Sequence, residues 1–326
     1  MILPYVLRLL CLCFASFFVL NAALGLLVRI SSKSAIRFAE STAPRAASRF
    51  LLALRMLPFA FAALFVLALC VPSYLQFEPS LTSERAGAVC LVLGLLGAAT
   101  CSLSIARSAH SLLVSWRHNR LCQLAAQEAS MPGISSQMLI VENDAPLLAM
   151  SGLLRPHLLI SRAVLRALSS QELDAALRHE QAHRTSRDNA KRLLLLLAPD
   201  IFPFVRPLRP LERSWSKFTE WAADDQAASG DSARALSLAS ALVSVARMGS
   251  SPRLPYLSTS LLACDRDLSA RVDRLLRTTP ATSARALQAP PLFSIAGLSL
   301  ALCLGALLLA PSILSLVHEL LELLLH

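Results

Sequence analysis

Four long apolar stretches set the first constraint on this chain: about Leu9–Val28, Met56–Leu75, Ala86–Ile105 and Leu292–Val317. Each can cross roughly 30 Å of hydrocarbon as a helix. Inside a bilayer every backbone N–H and C=O must find its partner within the segment, so these stretches are expected to be helical. Arg8 is the only positive charge before the first stretch and Arg29 follows it directly, which reads as a retained span rather than a cleaved leader. Pro311 is expected to kink the fourth. Composition agrees: 55% of residues are hydrophobic and 16% charged, against about 25% charged in soluble domains. That excludes a purely water-soluble globule, and the hydrophobicity excludes low-complexity disorder.

Charge placement orients the spans. The net charge is +10, and all but three of the 31 basic residues are Arg. They flank the apolar stretches instead of alternating with aromatics, which make up 6% of the chain, so direct nucleic-acid binding is not expected. The partner implied is the lipid bilayer. Arg29, Lys33, Arg37, Arg45, Arg49 and Arg55 lie between the first two stretches, and Arg107, Arg117 and Arg120 follow the third. The positive-inside rule then puts both termini outside a bacterial inner membrane. Three parts follow: residues 1–117 with three spans, a cytoplasmic domain over 118–287, and the fourth span with a short tail over 288–326. Six cysteines lie in apolar runs, where a thiol behaves as a small hydrophobe. Cys122 and Cys264 are isolated and no CxxC occurs, so neither a disulfide framework nor a zinc knuckle is indicated.

The polar domain reads as α+β. A helical pattern near Leu113–Ala129 is broken by Met131-Pro132-Gly133. Gln137–Val141, Leu147–Ser151 and His157–Ile160 read as short strands. Ser169 followed by Glu172 is a capping box that opens a helix running on to about Leu197. The apolar residues of 193–205, interrupted by Asp200, are too short to span; they rest on the membrane surface, seal the domain against the spans, or form an ordinary buried helix end. Further helices are expected over Ser216–Ser229, Ala233–Met248 and Leu268–Arg277.

Chemistry concentrates in His179-Glu180-Gln181-Ala182-His183, an HExxH. On a helix, His at i and i+4 share a face and can hold one metal ion, with the intervening Glu beside it. Zinc brings the pKa of a bound water toward ~7, and Glu180 is placed to take its proton and pass it to a leaving amine. With seven His and 11 Glu in the chain, chance supplies roughly 0.005 such motifs. A catalytic site needs a third ligand and an open position. Glu220, in Glu220-Trp221-Ala222-Ala223-Asp224, is the first candidate; Asp188 is the next acid to consider. Asp224, one turn from Glu220, is placed to accept a hydrogen bond from a liganding imidazole. Asp225 points away.

The run from His179 to Asp188, the ExxxD of Glu220–Asp224, Gly152-Leu153-Leu154-Arg155-Pro156 and the Leu168–Leu177 approach resemble the BlaR/MecR-type membrane zinc metallopeptidases. The three-plus-one arrangement of spans is similar as well. The resemblance implies a gluzincin-like fold, zinc held by His179, His183 and Glu220, Glu180 as base, Asp188 and Asp224 supporting the imidazoles, and cleavage of a regulatory protein, often a transcriptional repressor. Signalling members carry an extracellular penicillin-binding sensor after the last span. This chain ends about nine residues after it, so direct β-lactam sensing is not expected. A separate sensor protein or a second copy of the chain would then supply the trigger.

The expectation is therefore a polytopic zinc endopeptidase with four spans and a cytoplasmic α+β domain, its sheet lying over the His179 helix and offering an edge strand to substrate. Site-2-type proteases place HExxH within the bilayer, which Arg178, Arg184, Arg187, Asp188, Lys191 and Arg192 around this motif argue against. A CAAX-processing-type zinc protease would share the metal chemistry. From another class, a non-catalytic transducer would use the zinc structurally, and would have no need of Glu180.

Overall fold

The computed structural model describes residues 4–77, 87–129, 138–142, 145–153, 156–202, 206–249, 255–261, 267–277, 314–317 and 319–321. Three helical rods in it are long and apolar enough to cross a membrane. The first is α1, Tyr5–Glu40. The second runs unbroken through α2 (Pro44–Phe65), a π-helical segment (Val66–Cys70) and α3 (Val71–Phe77). The third is α4, Ala88–Ala125. The fourth expected span lies mostly outside the described residues. Leu314, Val317 and Leu321 from its far end nevertheless pack with Leu12, Leu69, Cys70, Tyr74 and Cys90.

Each rod outruns the stretch read from hydropathy, because helix continues past the apolar window into polar sequence. The separate helix expected at 113–129 is instead the second half of α4, which ends in strand β1 (Ala126–Ala129). The boundary drawn at residue 117 thus falls inside one helix. Val71-Pro72 lies within the second rod: the π-helical turns before it leave the proline at the start of a renewed α-helix, where it needs no N–H donor.

The polar domain holds a five-stranded sheet in the order β1-β2-β4-β3-β5, with β2 Met138–Val141, β3 Leu148–Ser151, β4 His157–Ser161 and β5 Ser258–Ser260. β2 and β4 are parallel; the other pairs are antiparallel. Its helices are α5 (Arg162–Ala167), α6 (Ser170–Ser186), α7 (Asp188–Leu197), α8 (Arg209–Ala228), α9 (Ser232–Arg247) and α10 (Leu268–Arg277). Met150, Leu158 and Ile160 of the sheet form one core with Ala176 of α6, Leu238 and Leu242 of α9, and Leu275 of α10. The helix expected to run unbroken to Leu197 is two helices. Arg187 adopts a left-handed conformation (φ 54°) that closes α6 and opens α7.

α8 joins the domain to the rods. Leu211, Trp215 and Phe218 pack with Val28 of α1 and Ala47 and Leu51 of α2. Beside them Arg55, 1% exposed, pairs with Glu212 of α8 at 3.1 Å and approaches Asp200 to 3.8 Å. Asn21 of α1 donates to the Asp200 carbonyl, and Phe18 meets Phe202 edge-on. Asp200 and Phe202, in the described part of that apolar run, therefore pack the domain against the rods, one of the roles expected for it; residues 203–205 lie outside the described residues. Removing one member of a buried ion pair strands the other's charge, at a cost of about 3–5 kcal/mol. Arg55→Met should lower the unfolding free energy in detergent by that order, read by chemical denaturation. A loss below about 1 kcal/mol would place the pair among weak surface contacts.

Candidate metal centre

α6 carries HExxH because its start is fixed. Ser169 Oγ accepts from the Glu172 N–H, and Glu172 accepts in return from the Ser169 N–H at 2.8 Å. That phase turns His179, Glu180 and His183 inward, where they are 0%, 0% and 2% exposed. α8 crosses the same face and contributes Glu220, 1% exposed. The nearest ligand atoms of His179, His183 and Glu220 all lie within 4.8 Å of one another. The two Nε2 atoms are 3.2 Å apart, and each is about equally far from Glu220 Oε2, at 3.5 and 3.6 Å.

The other nitrogen of each ring faces a carboxylate. His179 Nδ1 lies 2.9 Å from Asp224 Oδ1, and His183 Nδ1 lies 2.8 Å from Asp188 Oδ2. Asp188 reaches His183 only because Arg187 breaks the helix and returns the chain. It is thus an outer partner of an imidazole, held from its far side by Lys191 at 2.7 Å. An imidazole that donates from Nδ1 to a carboxylate presents a lone pair at Nε2. Both rings turn Nε2 toward Glu220, whose oxygens have no hydrogen-bond partner and whose nearest cation is Arg271 at 3.4 Å. A buried cluster of this kind is stabilised by a cation held between its ligand atoms. The donor set, two imidazoles and one carboxylate, fits a divalent metal ion.

Without the metal, protons fill that need. Burial weighs most on His183 and disfavours its charge, yet Glu220 and Asp188 outweigh it and raise the imidazole to about 10. Glu220 is held well below the usual carboxylate range, because the facing imidazoles and Arg271 overcome its burial. Glu180 stands apart from the ligand set. Burial pushes its carboxyl up to about 7. One oxygen, Oε2, accepts the Met150 N–H of β3 at 3.1 Å, while Oε1 has no protein partner.

Several contributors were not singled out in the sequence. Arg271 of α10, 1% exposed, donates to both oxygens of Asp224 at 2.7 and 2.9 Å, to the Leu261 carbonyl at 2.8 Å, and lies 3.4 Å from Glu220. It shares the apolar stripe of Leu268, Val272 and Leu275, and a charge on such a stripe was the available signal. Asn189 donates to the carbonyls of Met150 and Gly152, tying α7 to β3. Asp225 turns to Arg274 instead, as its phase on the helix requires.

The sheet also departs from expectation. β3 is the strand that meets α6, but it is not an edge: β5 pairs along it. His183 and Asp188 line one side of a cleft of about 590 Å³, with Leu153, Pro156, Arg184, Arg187, Leu193 and Leu194 around it.

No family model matches the chain, and no curated protein sequence matches it either.

Metal uptake must displace protons from the imidazoles, since the bound form needs their lone pairs. Calorimetric titration of the metal-free protein with zinc near neutral pH, in buffers of different ionisation enthalpy, should show proton release, and affinity should rise with pH. Arg271→Met should weaken metal binding by roughly 10–100-fold at unchanged helical content, with Arg271→Lys recovering part of the loss. Unaltered affinity in Arg271→Met would remove Arg271 from the support of the site.

Proposed function

We propose that the protein is an integral-membrane zinc endopeptidase that cleaves a cytoplasmic regulatory protein, of the repressor type, in signal transduction. The observation that carries this reading is Glu180. It lies beside the three-ligand cluster, takes no place in it, and keeps one buried carboxylate oxygen unpartnered while the other is fixed by the β3 backbone. A purely structural metal site has no use for such a group, which counts against the non-catalytic transducer.

His179, His183 and Glu220 would hold the zinc, and Asp224 and Asp188 would keep both imidazoles in the tautomer that binds it. When bound, zinc would supply Lewis acidity to the attacking water and the scissile carbonyl. Glu180 Oε1, free of any protein partner, would receive the proton of that water and deliver it to the departing amine. The Met150 N–H holds Glu180 in place through the cycle. Substrate enters by the cleft beside His183. Its apolar residues, Leu153, Leu193 and Leu194, suit a hydrophobic side chain, and Arg184 and Arg187 suit an acidic neighbour. For an extended peptide to pair with β3, β5 must first leave it.

The Arg-rich flanks orient the polar domain to the cytoplasm, with both termini outside. The charges around α6 favour this over an intramembrane protease. The three helical rods and the ligand pattern are also those that the BlaR/MecR resemblance implies.

Glu180→Gln should retain about one zinc per chain and lose cleavage, because the ligands remain while proton transfer stops. His179→Ala should lose both. The substrate is read by comparing proteins shortened in cells carrying wild type with those that co-purify with Glu180→Gln. Substantial cleavage by Glu180→Gln would sink the assignment of the base. A reporter fused after Arg253 should score as cytoplasmic, and an external score would remove cytoplasmic repressors from the substrate class.

A further inference from the structure

We propose that four cysteines near one end of the helical bundle form two redox-active pairs, Cys11 with Cys90 and Cys13 with Cys70, whose oxidation clamps α1 to both of its neighbours. The thiols already face one another. Cys11 Sγ lies 3.7 Å from Cys90 Sγ, and Cys13 Sγ lies 3.9 Å from Cys70 Sγ. Each pair must close by less than 2 Å to reach the ~2.05 Å of a disulfide.

The pairing follows from helix phase. Cys11 and Cys13 are two residues apart on α1, about 200° round its axis, so they address opposite neighbours. Cys11 turns to α4 where the two helices run close together: a Cβ on Gly94 would come within 2.8 Å of Cys11 Sγ, and one on Gly97 would run into the Phe14 carbonyl oxygen. Cys13 turns to the second rod and meets Cys70, the last residue of the π-helical segment. A π-helical turn rotates every later side chain relative to an unbroken α-helix, and such turns frequently mark functional sites. Six described cysteines are free thiols. Four of them form these pairs, whereas Cys122 contacts His118 instead.

Both pairs lie near the end of the bundle where α1 begins, the second rod ends and α4 begins. Tyr5 and Tyr74 meet there with tilted rings, centroids 5.0 Å apart, and Cys90 is the third residue of α4. In the orientation proposed above, that end faces outward, the side on which disulfides persist. The oxidant is a small-molecule disulfide or a protein disulfide acting by thiol–disulfide exchange. A thiolate of one pair attacks the oxidant and displaces one thiol. Its partner then attacks the mixed disulfide and displaces the second. Each pair thus loses two electrons and two protons, and the oxidant is reduced to two thiols.

The consequence reaches the metal centre through α1. The same helix continues to Glu40 and holds the peptidase-side segment through Asn21 on the Asp200 carbonyl and through Ile201, packed against Gly25. Val28 packs with Trp215 and Phe218 of α8, the helix that carries Glu220. Pinning α1 at its far end biases the position of the helix against which α8 rests.

The test uses the full chain in detergent, equilibrated with dipyridyl disulfide or oxidised glutathione, then alkylated, digested and mapped by mass. The expected result is two cross-linked peptide pairs, Cys11–Cys90 and Cys13–Cys70, with Cys101 and Cys122 alkylated. Cys11→Ala should lose the first cross-link and keep the second. Four alkylated thiols after exchange, or predominant crossed pairs, would show that the cysteines serve packing alone and would overturn the proposal. Hydrogen exchange reads the coupling: amides of α8 should change protection between oxidised and reduced protein, and identical exchange would overturn that part. Neither readout depends on peptidase activity or on metal, so its failure is distinct from failure of the peptidase reading.

Discussion

The polar domain is built around one electrostatic problem: two imidazole nitrogens and a carboxylate brought together as buried side chains. Burial of that kind is costly unless a cation is supplied and the outer nitrogens are tied down. Asp224 and Asp188 tie them. Each of those carboxylates is in turn held by a cation, Arg271 for one and Lys191 for the other. The chain of support ends in ordinary packing, with α10 seated against α9 and the Leu261 carbonyl binding Arg271. Removing any link leaves a buried charge behind it.

Much of this arrangement is legible in the sequence, because helix phase does the work. The Ser169–Glu172 capping box fixes where α6 begins, and from there the i, i+4 spacing of His179 and His183 settles which face they share. The same arithmetic places Glu220 and Asp224 together and turns Asp225 away. Asp188 is expected beside an imidazole; the left-handed residue at Arg187 that brings it to His183 is not, since no glycine announces that break. What else was not legible depends on contacts distant in sequence. Arg271 lies 47 residues from the carboxylate it holds, and β5 contributes only three residues to the sheet, too few to give a periodic signal. Hydropathy located the spans but not their ends, since nothing in an apolar window reports how far helix continues into polar sequence.

The membrane region and the metal centre form one mechanical unit. α8 has two faces: Glu220 and Asp224 point to α6, while Leu211, Trp215 and Phe218 lie on α1 and α2. The Arg55–Glu212 pair adds a charge-matched contact to that apolar seam. A displacement of α1 or α2 therefore reaches the helix that holds a ligand without passing through a flexible linker.

The most direct test of the central claim is X-ray absorption at the zinc edge of the metal-loaded protein. Two imidazole nitrogens and oxygen neighbours at about 2.0–2.2 Å, with no sulfur, are the expected shell. In Glu220→Ala the carboxylate oxygen should be lost from it. Scattering from sulfur near 2.3 Å, or a shell unchanged by Glu220→Ala, would contradict the assignment of His179, His183 and Glu220 as the metal site.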